Sequence, residues 1–290
     1  MQKIGFIGTG VMGAAMITNL LNAGYPVTVY NRTKTKADGV VALGATWADT
    51  PAEVTRQADI IITIVGYPKD VEEVYFGPEG IFSTAQPNQI VIDMTTSTPT
   101  LAEKISDYAV EHGIGALDAP VSGGDVGAKN ASLTIMVGGS EAAYTAVTPV
   151  FAVLGHQINR FGAAGAGQHT KMANQIMIAA TMIGLSEMLV YAKAAKLDLQ
   201  KVLETLSSGG ADNWSMDAYV PRILKGDFQP GFYAKHLLKD LRIALDGAKA
   251  MNLDLPGTKL AEALYTKLTE EMHLGDEGTQ ALVKLWASFQ

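Results

Sequence analysis

Four short stretches of this chain carry residue types and spacings that can do chemistry. The first is Gly8-Thr9-Gly10-Val11-Met12-Gly13, a GxGxxG pattern. Between a strand and a helix, the first glycine of such a turn makes the bend. The second lets the backbone approach a pyrophosphate, the third lets helix and strand pack closely, and the helix N-terminus faces the anion. Outside that context the same spacing is only a tight turn. The second stretch lies about 20 residues on, where an NAD site usually places an acid for the ribose hydroxyl. This chain reads Tyr30-Asn31-Arg32-Thr33 there, with Lys34 and Lys36 following and no acid. Arg32 offers a planar fork suited to a phosphate and Thr33 a hydroxyl. NADP(H) is therefore the expected cofactor, with NAD(H) left open and a solvated basic turn as the plain alternative. The third stretch, Ser122-Gly123-Gly124, presents a hydroxyl and accessible backbone N–H groups that suit a small carboxylate; it also reads as an ordinary turn. The fourth is Lys171 in "GQHTKMANQ", just after Gly165-Ala166-Gly167, with Asn174 and Gln175 on the same helix face at i+3 and i+4. The helix dipole and burial both oppose the ammonium form there, so the amine is suited to exchanging a proton. A lysine snorkelling from a domain junction accounts for the same residues.

These residues need a scaffold. Short, nearly continuous apolar runs at 3–8, 26–31, 59–65, 89–94, 115–121 and 133–139 read as strands covered on both faces. Stretches with helical spacing lie between them, at 11–23, 51–57, 99–112 and 141–154. Thr50-Pro51 and Ser97-Thr98-Pro99 look like helix starts, each a hydroxyl followed by an early proline. Alternating units of this kind predict an α/β fold with a mainly parallel, doubly wound Rossmann sheet. Ligands of such sheets sit beyond the carboxyl ends of the strands. The loops there are "VGYP" at 65–68, "DMTTSTP" at 93–99 and "DAPVSGGDVGA" at 118–128. After "NRFGAAGAGQ" (159–168) the texture changes, and nothing from 169 to 290 reads as a strand. Segments 169–195, 198–207, 234–251, 256–273 and 277–288 fit helices, broken at Gly209-Gly210, around Pro221, from Gly226 to Pro230 and at Gly275. The expected organisation is a dinucleotide-binding domain over 1–162 and an all-helical substrate and oligomerisation domain over 163–290.

Composition narrows the classes of function. With 48 % hydrophobic and 18 % charged residues, the chain has the makeup of a packed globular protein. A net charge of −7 without a lysine/arginine run argues against nucleic acid or an anionic membrane as partner. No cysteine is present, which removes disulfides and thiol chemistry. His112, His156, His169, His236 and His273 show no HxH or HxxxH pairing, so no metal is expected. The N-terminus lacks a signal-peptide pattern. The apolar run 176–186 is broken by Glu187 and falls short of the ~20 residues a span needs. A cytoplasmic protein is expected. Its apolar helix is expected to bury surface against a partner subunit, as a homodimer or homotetramer.

Taken in order, "GFIGTGVMG" with the following Met16 and Asn19-Leu20 (5–20), "NRT" (31–33), "DMTTSTP", "DAPVSGG", "GAGQHTKMANQ" (165–175) and "GDFQPGF" with "KDL" (226–241) resemble the β-hydroxyacid dehydrogenases over essentially the full chain. That family includes 3-hydroxyisobutyrate dehydrogenases, tartronate semialdehyde reductases and glyoxylate/succinic semialdehyde reductases. The resemblance implies hydride transfer between NADP(H) and a small β-hydroxy acid or semialdehyde. It implies that Lys171 is the general acid/base and that Ser122, Gly123 and Gly124 hold the substrate carboxylate. Thr96 is implied beside nicotinamide and substrate, Val65 at the cofactor, and Lys239 as a cofactor contact. Phe232 and Asp240 are implied to shape the substrate site, while Asn31, Arg32 and Thr33 match the 2′-phosphate loop. Two departures stand out: Gln175 occupies a place where many members have asparagine, which shifts the carboxamide role towards Asn174, and Ile17 replaces a small residue. Among enzymes, 6-phosphogluconate dehydrogenases are longer and carry extra basic residues, and imine reductases usually replace the lysine. A sensor or scaffold that binds NADPH without turnover is the alternative from another class.

Overall fold

The computed structural model describes residues 1–289. The chain divides into two compact units, Met1–Lys171 and Met172–Gln290.

The first unit alternates strands and helices. Its first half runs β1 (Ile4–Ile7), α1 (Val11–Asn22), β2 (Val27–Tyr30), α2 (Asp38–Ala42), β3 (Thr46–Trp47), α3 (Pro51–Arg56), β4 (Ile60–Thr63) and α4 (Pro68–Phe76). Then follow β5 (Ile90–Asp93), α5 (Pro99–Glu111), β6 (Gly115–Asp118), β7 (Val121–Ser122), α6 (Gly124–Lys129), β8 (Leu133–Gly139), α7 (Glu141–Leu154) and β9 (Gly155–Gly162). The sheet order is β3-β2-β1-β4-β5-β6-β8-β7, with β9 paired to β8. Strands β1 to β6 are parallel along that path, whereas β8 runs antiparallel to β6 and β7. The central strands are buried almost throughout, and successive side chains go to opposite faces. Phe6, Ile60, Ile62, Ile92 and Leu117 belong to one core cluster, while Ile7, Ile61, Val91 and Ala116 belong to a second. Two separate cores from period-two side chains are what a sheet covered on both faces requires. The expected α/β Rossmann organisation is thus present.

Thr50 and Thr98 do cap α3 and α5, accepting from Glu53 N at 3.1 Å and Leu101 N at 3.2 Å. Strand β9 adds an element that the apolar runs do not announce. Its residues alternate between half-buried and exposed, as an edge strand with one solvated face does, so it lacks the signature of its neighbours. The short α6 is likewise hidden in the sequence, because glycines stand at its N-cap and first position.

The second unit is helical, and its described residues contain no strand beyond an isolated bridge between Tyr233 and Gly278. Helix α8 (Ala166–Ala194) begins in the first unit and continues into the second. Then come α9 (Leu199–Leu206), α10 (Trp214–Leu224), α11 (Ala234–Ala250) and α12 (Pro256–Thr266). Helix α10 corrects the expectation of a break around Pro221. The proline removes one helical hydrogen bond, but Met216, Tyr219, Val220 and Ile223 bury one face of the helix, and packing outweighs the local cost. Residues 279–285 form a 3₁₀ rather than an α-helix, with Ala281, Leu282 and Val283 buried. The core joins Met182, Leu189, Leu237, Leu241, Tyr265 and Leu282. By length and composition α8 is apolar enough to cross a membrane. Its apolar residues Ala179, Met182, Leu185 and Leu189 are used in this core.

Candidate active site

The glycine turn at 8–13 joins β1 to α1, and its geometry explains its composition. Gly8 has φ +106°, and a Cβ on it would run into the carbonyl of Ile64. A Cβ on Gly13 would run into the carbonyl of Gly8. Gly10 differs, because nothing lies within 4 Å of where its Cβ would be. The N-terminus of α1 has no side-chain cap and no acid in its first turn, where Val11 and Met12 stand. The Thr9 hydroxyl is buried with no hydrogen-bond partner among the described residues. An open backbone approach, uncapped helical N–H groups and an unsatisfied hydroxyl fit a dinucleotide pyrophosphate.

Beyond β2, Asn31 ties this turn to the neighbouring loop. Its Oδ1 accepts from Thr9 N at 3.0 Å and its Nδ2 donates to Thr33 O at 2.9 Å. The Arg32 side chain is 85 % exposed, with Nη1 3.3 Å from Asp70 Oδ1. Beyond β4, Val65 N donates to Thr95 Oγ1 at 2.9 Å. Thr96, the next residue, is half-buried.

A buried polar network orders the strand ends. Asp93 Oδ1 accepts from Thr63 Oγ1 at 2.8 Å and from Thr95 N at 3.0 Å. Burial pushes the Asp93 carboxyl up to about 6, against the hydrogen bonds from Thr95 and Thr63. Asp118, opposite it on β6, is also raised by burial, and is opposed by backbone N–H groups. Its two oxygens accept from Gly165 N at 2.9 Å and Gln168 N at 2.8 Å. Those amides open α8, so Asp118 caps that helix from a distant strand. Gln168 completes the join: its Nε2 donates to Thr95 O at 2.8 Å and its Oε1 accepts from Ser97 N at 2.9 Å. A Cβ on Gly167 would lie 2.6 Å from Asp118 O, which explains the glycine at this junction.

Lys171 follows in the second turn of α8, because the capped start places the helix three residues earlier than the sequence pattern indicates. Its side chain is 6 % exposed, and Nζ donates to Val121 O at 2.8 Å. That buried amine corrects the snorkelling alternative. Val121 immediately precedes Ser122, Gly123 and Gly124, where the chain turns with φ +125° and +62° at the glycines. The first unit therefore brings Lys171 to the start of the Ser-Gly-Gly turn, and the turns at 8–13, 31–33, 65 and 95–97 to neighbouring strand ends.

The second unit holds its own polar group. Gln175 is fully buried; its Nε2 donates to Asp240 Oδ2 at 2.6 Å and its Oε1 accepts from Asn174 Nδ2 at 2.7 Å. Lys239 Nζ lies 3.0 Å from Asp240 Oδ1, with side chains 12 % and 2 % exposed. His236 is held below the usual imidazole range by burial and then by the Lys239 charge. Phe232 packs against the helical core and its carbonyl accepts from Thr279 N at 3.0 Å. Asp93, Asp118 and Gln168 are residues of this network that the sequence pattern does not single out, although each stands within or beside a motif that it does. The available signal is an acid at the carboxyl end of an otherwise apolar strand.

Comparison with known proteins identifies the family and the fold. Residues 3–165 match the model for the NAD binding domain of 6-phosphogluconate dehydrogenase. Residues 165–286 match the model for NAD-binding of NADP-dependent 3-hydroxyisobutyrate dehydrogenase. The uncharacterized oxidoreductase YkwC of Bacillus subtilis (strain 168) is 52 % identical, over 98 % of this chain and 99 % of its own length. The 2-hydroxy-3-oxopropionate reductase of Escherichia coli (strain K12) is 38 % identical, over 91 % and 90 %. Among solved structures, the 3-hydroxyisobutyrate dehydrogenase of Mycobacterium tuberculosis with L-serine superposes with a TM-score of 0.89 at 31 % identity, over 98 % of this chain and 99 % of that one.

Proposed function

The chain belongs to the β-hydroxyacid dehydrogenase family, and from that premise we propose that it interconverts a small β-hydroxy acid and its semialdehyde or keto form with NADP(H). The observation that carries the proposal is Lys171, whose amine is buried to 6 % exposure with Nζ 2.8 Å from the carbonyl beside Ser122. The bound nicotinamide supplies or accepts the hydride at the carbonyl carbon. Lys171 gives a proton to the oxygen of that carbonyl in reduction and takes it back in oxidation. Ser122 and the backbone of Gly123 and Gly124 hold the substrate carboxylate, fixing the carbonyl for both transfers. Asp118 and Gln168 hold the first turns of α8 and so aim Lys171.

The carboxamide that orients the substrate is assigned to Asn174, which has one hydrogen bond, from its Nδ2 to Gln175 Oε1, whereas Gln175 is engaged at both ends. In the second unit, the family resemblance makes Phe232 and Asp240 the candidates for substrate and Lys239 the candidate for cofactor. Arg32, with Asn31 and Thr33, receives the 2′-phosphate, which is the basis for NADP(H) over NAD(H). We further propose a cytoplasmic homodimer or homotetramer assembled through the helical unit, acting on a small carboxylate substrate without nucleic acid or membrane.

The test is Lys171→Ala, assayed on a panel of two- to four-carbon semialdehydes, keto acids and hydroxy acids with both cofactors. Turnover should fall on the order of 10²- to 10⁴-fold while NADPH binding persists. Near wild-type turnover in the variant sinks the role of Lys171. Tight NADPH binding by the wild-type protein without turnover on any compound points instead to a sensor.

A further inference from the structure

Arg32 shares its guanidinium with a carboxylate that the fold holds independently of it, and we propose that Asp70 sets how strongly this site prefers NADP(H) over NAD(H). The inference rests on Arg32 being the 2′-phosphate partner. Arg32 follows β2 and Asp70 stands in the first turn of α4, just beyond the Val65 loop. Nη1 and Oδ1 are 3.3 Å apart, and the arginine is 85 % exposed against 21 % for the acid, so the acid is the more fixed of the two. Its other oxygen, Oδ2, accepts from Tyr67 N at 3.1 Å. That bond belongs to the start of α4 and holds the carboxylate in place wherever Arg32 turns. A Cβ on Gly66 would come within 3.2 Å of the same oxygen, so the loop also closes on the acid from behind.

The next lysine of this loop is engaged differently. Lys34 Nζ lies 3.8 Å from Asp49 Oδ1 and 5.0 Å from the Trp47 ring centre. The fixed anion at the Arg32 fork is therefore Asp70.

A 2′-phosphate arriving at Arg32 meets that anion. Two anions then share one cation, and their repulsion offsets part of the attraction of the phosphate. NAD(H) has a hydroxyl at the same place, which a carboxylate accepts from; that is the role of the acid at the end of β2 in NAD sites. This chain lacks an acid there and brings one from α4 instead. The result is a site that takes both cofactors, with its preference for NADP(H) narrowed by Asp70.

Calorimetric titration of the full chain with NADP⁺ and NAD⁺ tests this without recourse to turnover. Asp70→Asn and Asp70→Ser both keep an oxygen able to accept the Tyr67 N–H, so α4 stays capped. Each should tighten NADP⁺ relative to NAD⁺ about two- to fivefold, the range of an exposed charge pair. The gain should shrink as salt is raised, and it should vanish when Arg32→Ala is added. An unchanged ratio in both Asp70 variants, or the same gain without Arg32, overturns the role of Asp70. Arg32→Ala alone reports on the underlying reading: it should weaken NADP⁺ far more than NAD⁺, and equal losses overturn the 2′-phosphate assignment itself.

Discussion

Buried carboxylates organise both units, but by different partners. In the first unit Asp93 and Asp118 accept from backbone amides and a threonine hydroxyl. In the second, Asp240 is held by the Lys239 ammonium and the Gln175 carboxamide. Amides are fixed by the fold, so an acid bound to them positions an element, as Asp118 positions the start of α8. A lysine and a glutamine are side chains from two helices, so the acid between them balances charge inside a helical core. The first arrangement costs burial of a charge without a counter-ion, which appears as the raised carboxyls of Asp93 and Asp118. The second offsets that cost by pairing, and makes each partner depend on the other.

The comparison predicts a ranking of effects. Asp240→Ala should be the most damaging to stability, at about 3–5 kcal/mol in chemical denaturation, because it takes the counter-charge from a lysine whose side chain is only 12 % exposed. A loss of less than about 1 kcal/mol would mean the pair is solvated and the contrast is false.

Asp93→Asn should act in the opposite direction and depend on pH. The folded carboxyl titrates at about 6 against 3.8 for the free group, so the folded state binds the proton more tightly than the unfolded chain does. The stability contributed is full below pH 3.8 and is lost as pH rises through about 6. An asparagine at this position cannot ionise, so the variant should lose this slope and gain on the wild type above it, by at most roughly 3 kcal/mol. Melting curves of both proteins between pH 4 and 8 check it; parallel pH profiles would show that Asp93 is not the group responsible.

Asp118→Asn should have the smallest effect on stability, about 2 kcal/mol, since one of two charge-assisted amide bonds is replaced by a donor facing a donor. Its signature is kinetic. With the first turn of α8 loosened, kcat should fall more than substrate KM rises, while NADPH binding holds. A rise in KM alone would leave Asp118 as a packing residue without influence on Lys171.

Much of the first unit is legible in the sequence because its motifs are local. A glycine turn, a hydroxyl before a proline and an apolar run each state their structure within a few residues, and Gly8 to Gly13, Thr98 and the central strands follow that logic. Strand β9 is not legible, since an edge strand with a solvated face has no apolar signature. Helix α10 is hidden by Pro221, whose local cost is overridden by four buried side chains that no window around the proline reveals.

By itself, the sequence determined the alternation of strands and helices in the first unit, the helical character of the second, the dinucleotide turn, the missing acid at the end of β2 and the identity of Lys171 as the residue to examine. These depend on residue type and short spacing, which the chain carries wherever it folds. Only the tertiary structure decided that Lys171 is buried on the Val121 carbonyl, that Asp118 and Gln168 cap and tie α8, that Gln175 serves Asp240, and that Asp70 stands at the Arg32 fork. Each of those joins residues far apart in the chain, 38 positions for Arg32 and Asp70 and 65 for Gln175 and Asp240. Pairings at such separation are fixed by packing of whole elements, because the energy that selects them exists only once the cores around them have closed.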